Sequence, residues 1–172
     1  MGIQSYFIEK KIKKLISREQ SLQVKELSKI NKVAILIDDT VTFDDRQFKT
    51  LIKLMPLKSD SFSMLAITHK KTDDQKPWNH YILRINEINM FGSIKSDSFQ
   101  AFIKEDYDLL IDYTDETKRI TRLVAAQIKA KLKAGFGSNS HEFYNIILNV
   151  KPDDVEAFNR ELVRYLTILK VI

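Results

Sequence analysis

The chain has 172 residues, of which 44% are hydrophobic and 30% are charged, and it carries a formal net charge of +5. This length fits one domain built on a single hydrophobic core. The sequence contains no cysteine, which excludes disulfide bonds, thiolate catalysis and cysteine-based metal sites and favours a reducing, cytoplasmic environment.

The positive charge is concentrated at the N-terminus. Residues 1–32 hold eight lysines and arginines against three glutamates, and the remaining 140 residues are neutral. Because the body of the chain carries no excess of basic residues, we expect no nucleic-acid partner. The basic cluster follows the first apolar residues, which is the reverse of a secretory signal. No apolar run approaches the roughly 20 residues that span a bilayer.

Residues 1–31 are predicted to form an N-terminal helical segment, since proline is absent and glycine occurs only at Gly2. One helical face carries Ile8, Ile12, Leu15 and Ile16, and the opposite face carries Lys10, Lys13 and Lys14. Two interpretations remain open. The helix packs on its own domain with solvated lysines, or residues 8–18 meet an acidic protein or an anionic membrane. In the second case the protein would be peripheral at the inner face of the membrane.

Residues 32–172 are predicted to form one Rossmann-like α/β domain. Residues 33–37 are apolar without alternation, which is typical of a strand buried on both faces of a parallel sheet. Asp44 is expected to cap a helix that ends at Pro56, with apolar positions at Phe48, Leu51, Ile52 and Met55. Strands over 62–67 and 80–85, separated by a polar loop at 70–77, precede a turn at 89–96 and a helix over 98–105.

The second half of the domain repeats the pattern. A strand over 108–112 is followed by a helix predicted over 116–133, with Gly135 as its terminator. Lys131 and Lys133 would then lie at the negative C-terminal end of this helix. The apolar stripe of the helix is Ile120, Leu123, Val124, Ile128 and Leu132.

The chain is predicted to end with two strands and a helix. The strands cover 134–136 and 144–150, and the helix starts at Pro152 and Asp153. The inner face of this helix is expected to carry Val155, Phe158, Leu162, Leu166 and Leu169. Strands that alternate with helices through short links predict a three-layer α/β fold with a mostly parallel sheet.

Polar side chains follow the predicted strands, at the edge where open α/β sheets bind ligands. The candidate ligand-binding residues are Asp38, Asp39, Thr40, Thr68, Asp112, Thr114, Ser138 and Asn139. Asp38, Asp39 and Asp112 together could hold magnesium if their strands were neighbours. The same residue types are also those that helix caps and turns prefer, so a purely structural role remains open.

No catalytic motif accompanies these residues. The four glycines form neither a dinucleotide fingerprint nor a P-loop, and no G-x-S-x-G elbow is present. His69, His80 and His141 lie far apart and have no partner at metal-ligand spacing. The sequence therefore favours a binding protein with no identified catalytic residue, metal ligand or cofactor. The alternative is a magnesium- or sugar-phosphate-dependent enzyme that uses the strand-end aspartates.

Four stretches carry a resemblance to known sequences: VAILID, NMFGSIKSDSFQAFIKEDYDLLIDYT, KAKLKAGFGS and NRELVRYLTILKVI. Through them nearly the whole chain resembles a bacterial family of uncharacterised proteins, known only as a domain of unknown function. That resemblance implies the limits of the domain and no activity. YDLLIDYT, followed by a helix and AGFGS, also resembles the N-terminal half of heptosyltransferase-type glycosyltransferases. In those enzymes a second Rossmann-like domain supplies the nucleotide-sugar site, and this chain has no room for one.

Overall fold

The computed structural model describes residues 3–20, 27–39, 44–69, 79–114, 118–137 and 144–172. Within these ranges five α-helices and six strands are present. The helices are α1 (Ile3–Gln20), α2 (Asp45–Leu54), α3 (Asp97–Ile103), α4 (Arg119–Ala125) and α5 (Val155–Ile168). The strands are β1 (Val33–Asp38), β2 (Phe62–Thr68), β3 (Asn79–Arg84), β4 (Tyr107–Asp112), β5 (Ala130–Phe136) and β6 (Ile146–Leu148).

The six strands form one sheet in the order β3-β2-β1-β4-β5-β6, and every described pairing is parallel. The predicted Rossmann-like architecture with a mostly parallel sheet is therefore confirmed. The strand order reverses between β1 and β4, where Leu36 lies opposite Asp112. Because the connections from these two strands leave in opposite directions, a crevice is expected outside their carboxyl ends.

Helices cover both faces of the sheet. Helices α2 and α5 bury one face, and α1, α3 and α4 bury the other. Along β1, Val33 and Ile35 point into the core beneath α2 and α5, whereas Ala34 and Leu36 point toward α1 and α4. Burial on both sides explains why this strand shows no alternation of apolar and polar residues.

The N-terminal helix shares a hydrophobic core with the α/β domain. Ile8, Ile12 and Ile16 are buried in the cluster that also contains Leu123 of α4. The turn at Gly92 completes the contact, because Lys11 Nζ donates a hydrogen bond to the Gly92 carbonyl at 2.6 Å. Gly92 has a φ of +72°, and a Cβ atom there would lie 3.0 Å from Leu123 Cδ2. Both the backbone conformation and the tight space therefore require glycine.

The prediction of a helix over 116–133 is wrong for the second half of this range. Helix α4 ends at Ala125, and Ala130–Phe136 forms strand β5 instead. Strand β5 pairs with β4 in a register that places Leu132 opposite Leu109. Ile128 lies in one core cluster and Leu132 packs against the other, so the predicted single stripe is divided between the two faces of the sheet by the pairing with β4. Gly135 consequently lies inside a strand and terminates no helix.

The two lysines assigned to that helix end also have different roles. Lys131 Nζ lies 2.7 Å from Asp108 Oδ1 at the amino end of β4. Lys133 is buried in β5, and its Nζ lies 3.5 Å from the carbonyl oxygen of Ala125, the last residue of α4. The expected contact between a cation and a helix C-terminus thus exists, but it is made across the fold by a strand residue.

The final helix also differs from its prediction at both ends. It starts at Val155, after Asp154 accepts a hydrogen bond from the backbone nitrogen of Ala157 at 2.9 Å. It ends at Ile168, and Leu169 is 52% exposed instead of lying on the inner face. Strand β6 is likewise shorter than the predicted 144–150. These are differences at element ends, where local capping decides the boundary.

Replacing Ile12 with alanine tests whether α1 belongs to the core. Ile12 is fully buried, so Ile12→Ala is expected to lower the free energy of unfolding by about 2–5 kcal/mol. Lys13→Ala, at the exposed neighbouring position, is the control and should change it by less than about 0.5 kcal/mol. Urea unfolding followed by circular dichroism measures both. Equal stabilities for the two variants would contradict the packing of α1.

Candidate functional site

Asp38 lies at the carboxyl end of β1, at the point where the strand order reverses. It follows Leu36 by two residues, so it projects from the same sheet face toward α1 and α4. Its side chain is buried, and Oδ2 accepts a hydrogen bond from Lys118 Nζ at 3.0 Å. Lys118 immediately precedes α4, and 46% of its side chain is exposed. The pair therefore connects a buried carboxylate to the protein surface.

Asp112 lies at the end of β4, next to β1 at the same reversal of the strand order. It is 1% exposed. Its Oδ1 accepts hydrogen bonds from the backbone nitrogen and the Oγ1 of Thr114, at 2.8 and 2.7 Å. Its Oδ2 accepts a hydrogen bond from the Tyr144 hydroxyl at 2.5 Å. The contact from Asp112 to Thr114 is the turn chemistry that the sequence left open, but the contact to Tyr144 joins two distant segments.

Burial dominates the electrostatics of this carboxyl group. It raises the pKa of Asp112 from 3.8 to about 6, against the opposing effect of the hydrogen bonds from Tyr144 and Thr114. The negative charge of Asp38 adds to the rise. Asp112 thus exchanges its proton close to neutral pH, as functional carboxyl groups often do.

A buried lysine occupies the same sheet face. Lys133 of β5 lies opposite Leu110 of β4, and Leu110 shares its face with Asp112. Lys133 is 1% exposed. Burying ionised side chains costs stability unless partners compensate, so a buried lysine and a buried aspartate on one face mark a polar interior that packing alone does not require.

Asp39 points in a different direction from Asp38. Its Oδ1 accepts a hydrogen bond from Thr68 Oγ1, and its Oδ2 accepts one from the backbone nitrogen of His69, each at 2.8 Å. These contacts join the ends of β1 and β2. Thr68 and Asp39 therefore form a pair of their own beside the crevice.

The sequence-derived site residues are brought together only in part. Asp38, Asp112 and Thr114 lie together at the strand reversal, whereas Asp39 and Thr68 form the neighbouring pair. Thr40, Ser138 and Asn139 lie outside the described residues. Among the residues that the structure describes, no group of three histidines, aspartates or glutamates could hold a metal ion.

Sequence reasoning missed three contributors to this site, namely Lys118, Lys133 and Tyr144. Lys118 directly precedes a helix that follows β4, a position that a correct start for α4 would have indicated. Lys133 was assigned to a helix end, so its burial in the sheet was hidden. Tyr144 lies two residues before β6, and only the three-dimensional packing brings its hydroxyl to Asp112.

A parallel sheet with this strand order, covered by helices on both faces, defines a Rossmann-like α/β protein. The chain belongs to the family described as "Family of unknown function (DUF6913)", whose model matches residues 4–169. This confirms the resemblance to a family of unknown function and assigns no activity. No curated protein and no solved structure matches the chain. The likeness to heptosyltransferase-type enzymes stays a prediction. Across the described residues, no helix is long and apolar enough to cross a membrane.

The raised pKa of Asp112 predicts an unusual dependence of stability on pH. The folded state holds this proton more tightly than the unfolded state. Its contribution to the free energy of unfolding is therefore fully present below about pH 4 and is lost as pH rises through about 6. The wild type should therefore lose about 2 kcal/mol relative to Asp112→Asn between about pH 4 and about pH 7. Urea titrations of both proteins across this range measure the difference, in which the histidines cancel. A constant difference would contradict the raised pKa.

Tyr144→Phe tests the hydrogen bond to Asp112. Its loss removes a donor to the ionised carboxylate, so we expect about 1.5–3 kcal/mol of destabilisation at pH 7 and less at pH 5, where the carboxyl group is protonated. Tyr107→Phe is a matched control, because the buried Tyr107 hydroxyl donates to the neutral carbonyl of Phe102 at 3.0 Å. The cost of the control should not change with pH. If the stability lost in Tyr144→Phe were also independent of pH, this would contradict a hydrogen bond from Tyr144 to the ionised carboxylate of Asp112.

Proposed function

We propose that the protein binds a small molecule bearing hydroxyl or amino groups at the carboxyl ends of β1 and β4, and that it acts through this binding and not through catalysis. The strand reversal between β1 and β4 supports the location, because ligands of open α/β sheets bind at this point. The absence of a cysteine and of a glycine-rich phosphate loop from the sequence supports binding over catalysis.

One observation carries the proposal: two carboxylates, Asp38 and Asp112, are buried side by side at the reversal point. Burial and the negative charge of Asp38 both make ionisation of Asp112 costly. A fold selected for stability alone would gain from apolar residues at such positions. Polar groups that persist in this place are typical of a binding site.

The chemistry of the rim indicates the kind of ligand. Asp38 can accept a hydrogen bond, and Lys118 can donate one, at the partly exposed end of their ion pair. A ligand that donates to Asp38 and accepts from Lys118 would give each of the two side chains a hydrogen-bond partner in place of the other. Sugars, nucleosides and amino acids carry both kinds of group.

An enzyme that acts on a sugar phosphate with the same aspartates is a second candidate at this site. It would need magnesium or another cation beside the carboxylates. The residues that the structure describes include no group of three such ligands, which favours the binding function. Turnover of a bound ligand would favour the enzyme.

A further candidate function uses a different surface. Lys10, Lys13 and Lys14 are exposed on α1, while its isoleucine face is buried in the core. This arrangement favours a cytoplasmic protein that associates with an acidic protein or, peripherally, with the inner face of the membrane.

Thermal unfolding against a panel of nucleosides, nucleotide sugars, sugar phosphates and amino acids tests the strand-end site. A ligand at 100 times its dissociation constant should add about 2.7 kcal/mol to the free energy of unfolding. We expect this gain to be lost in Asp38→Asn and retained in Asp108→Asn. The control is closely matched, because Asp108 is also buried and paired with a lysine, but it lies at the opposite end of the sheet.

Two outcomes would overturn the proposal. If no compound of the panel shifts the thermal unfolding of the wild type, the ligand classes named are excluded. A shift that survives Asp38→Asn, but is lost in a variant at the opposite edge, would place the ligand elsewhere. Magnesium added alone and with each sugar phosphate separates binding from the metal-dependent alternative.

A further inference from the structure

Four large apolar side chains are exposed next to one another at the start of α1. Tyr6 and Phe7 are 59% and 38% exposed, and Met90 and Phe91 from the adjacent turn are 58% and 53% exposed. The rings of Phe7 and Phe91 meet edge to face, with 5.2 Å between their centroids. Scattered single apolar residues are normal on a surface, but a contiguous group indicates a binding surface.

The turn that carries Phe91 is fixed by local hydrogen bonds. Asn89 Oδ1 accepts from the backbone nitrogens of Phe91 and Ser93, each at 2.9 Å. The backbone nitrogen of Gly92 also donates to the Asn89 carbonyl at 2.9 Å. Phe91 is therefore held in its outward position by the backbone around it.

Lysines continue this surface along the helix. Lys10 lies three residues after Phe7 and four after Tyr6, and Lys14 lies one turn further on the same side. Lys10, Lys13 and Lys14 are all exposed. We define the lysine–aromatic face as Tyr6, Phe7, Lys10, Lys13, Lys14, Met90 and Phe91.

The buried face of α1 cannot serve the same purpose. Ile8, Ile12 and Ile16 are committed to the core, and Glu9 binds Arg122 at 3.2 Å. An amphipathic helix that inserts its isoleucines into lipid would have to leave the domain. With α1 in place, its outward aromatic side chains remain available to enter an apolar phase.

We propose that the lysine–aromatic face docks on an anionic lipid bilayer. The aromatic rings and Met90 would enter the headgroup boundary, and the three lysines would contact lipid phosphates. This inference rests on the second surface named under the proposed function, and it adds the aromatic residues and the choice of partner.

The type of basic residue favours lipid over an acidic protein. Protein interfaces are enriched in arginine and depleted in lysine, because arginine makes fixed bidentate contacts. Arg119 and Arg122 beside this face are both paired with Glu9. The exposed cations within the lysine–aromatic face itself are lysines, whose mobile ammonium groups suit fluid headgroups.

Co-sedimentation of the full chain with vesicles tests the proposal. Vesicles of phosphatidylglycerol and phosphatidylcholine in equal parts should bind the protein, and vesicles of phosphatidylcholine alone should not. Replacing Lys10, Lys13 and Lys14 with glutamine should weaken binding by about fivefold per lysine. Phe7→Ser with Phe91→Ser should weaken it by about tenfold.

Matched controls lie on the opposite face of the sheet. Lys49, Lys53 and Lys58 are exposed on and after α2, and changing them to glutamine removes the same charge. Tyr165→Ser with Ile168→Ser removes exposed apolar area from α5. Neither control should weaken binding by more than about twofold if the docking is oriented. Circular dichroism verifies that each variant is folded.

A spectroscopic reporter separates insertion from surface attraction. Phe91→Trp should show a blue shift of its fluorescence on anionic vesicles, and Tyr165→Trp should show none, with Trp78 common to both proteins. Binding that depends on the lysines but not on Phe7 and Phe91 would overturn the insertion of the aromatic rings into lipid. It would be consistent with attraction of the lysines to the anionic membrane surface alone. No binding to anionic vesicles would overturn both, and an acidic protein would become the partner to seek.

Discussion

The rest of the structure depends on the burial of β1 at the centre of the sheet. It pairs with β2 on one edge and β4 on the other, and helices cover both of its faces. With both edges and both faces occupied, the ends of the strand are left for polar contacts, and its carboxyl end lies at the strand reversal. Asp38 and Asp39 stand at that end, and the alternation of a strand sends them in different directions. Asp38 enters the crevice toward α4, and Asp39 binds the end of β2.

Buried polar side chains lie behind the strand reversal. Asp112 and Lys133 are each 1% exposed and project from the same sheet face on neighbouring strands. A tyrosine from the segment before β6 donates to Asp112, so the polar groups also connect β4 to a distant segment of the chain. The lysine–aromatic face of α1 lies on the same side of the sheet, since α1 packs on α4. A ligand at the strand reversal and a partner of the lysine–aromatic face would therefore both contact the side of the sheet that α1 and α4 cover.

Local patterns predicted the elements whose signals are contained in a short window. The apolar run of β1 and the capping of α2 by Asp44 are examples, and the structure shows Asp44 accepting from the backbone nitrogens of Arg46 and Gln47. Prediction failed at 126–133, where an apolar spacing compatible with a helix is overridden by pairing with β4. It also failed for Lys133 and Tyr144, whose roles follow from contacts between distant segments. The strand-end aspartates were identifiable because their position follows from the strand itself, but the direction of each side chain was not.

The central claim is that the crevice at the strand reversal shields a carboxyl group from water. Carbon-13 NMR of the aspartate carboxyl groups, with Asp112 assigned through Asp112→Asn, measures its protonation directly. The account predicts a pKa of about 6 for Asp112. A midpoint close to the ordinary value of 3.8 would contradict the account, because the group would then be hydrated and the crevice would not be the buried polar site described above.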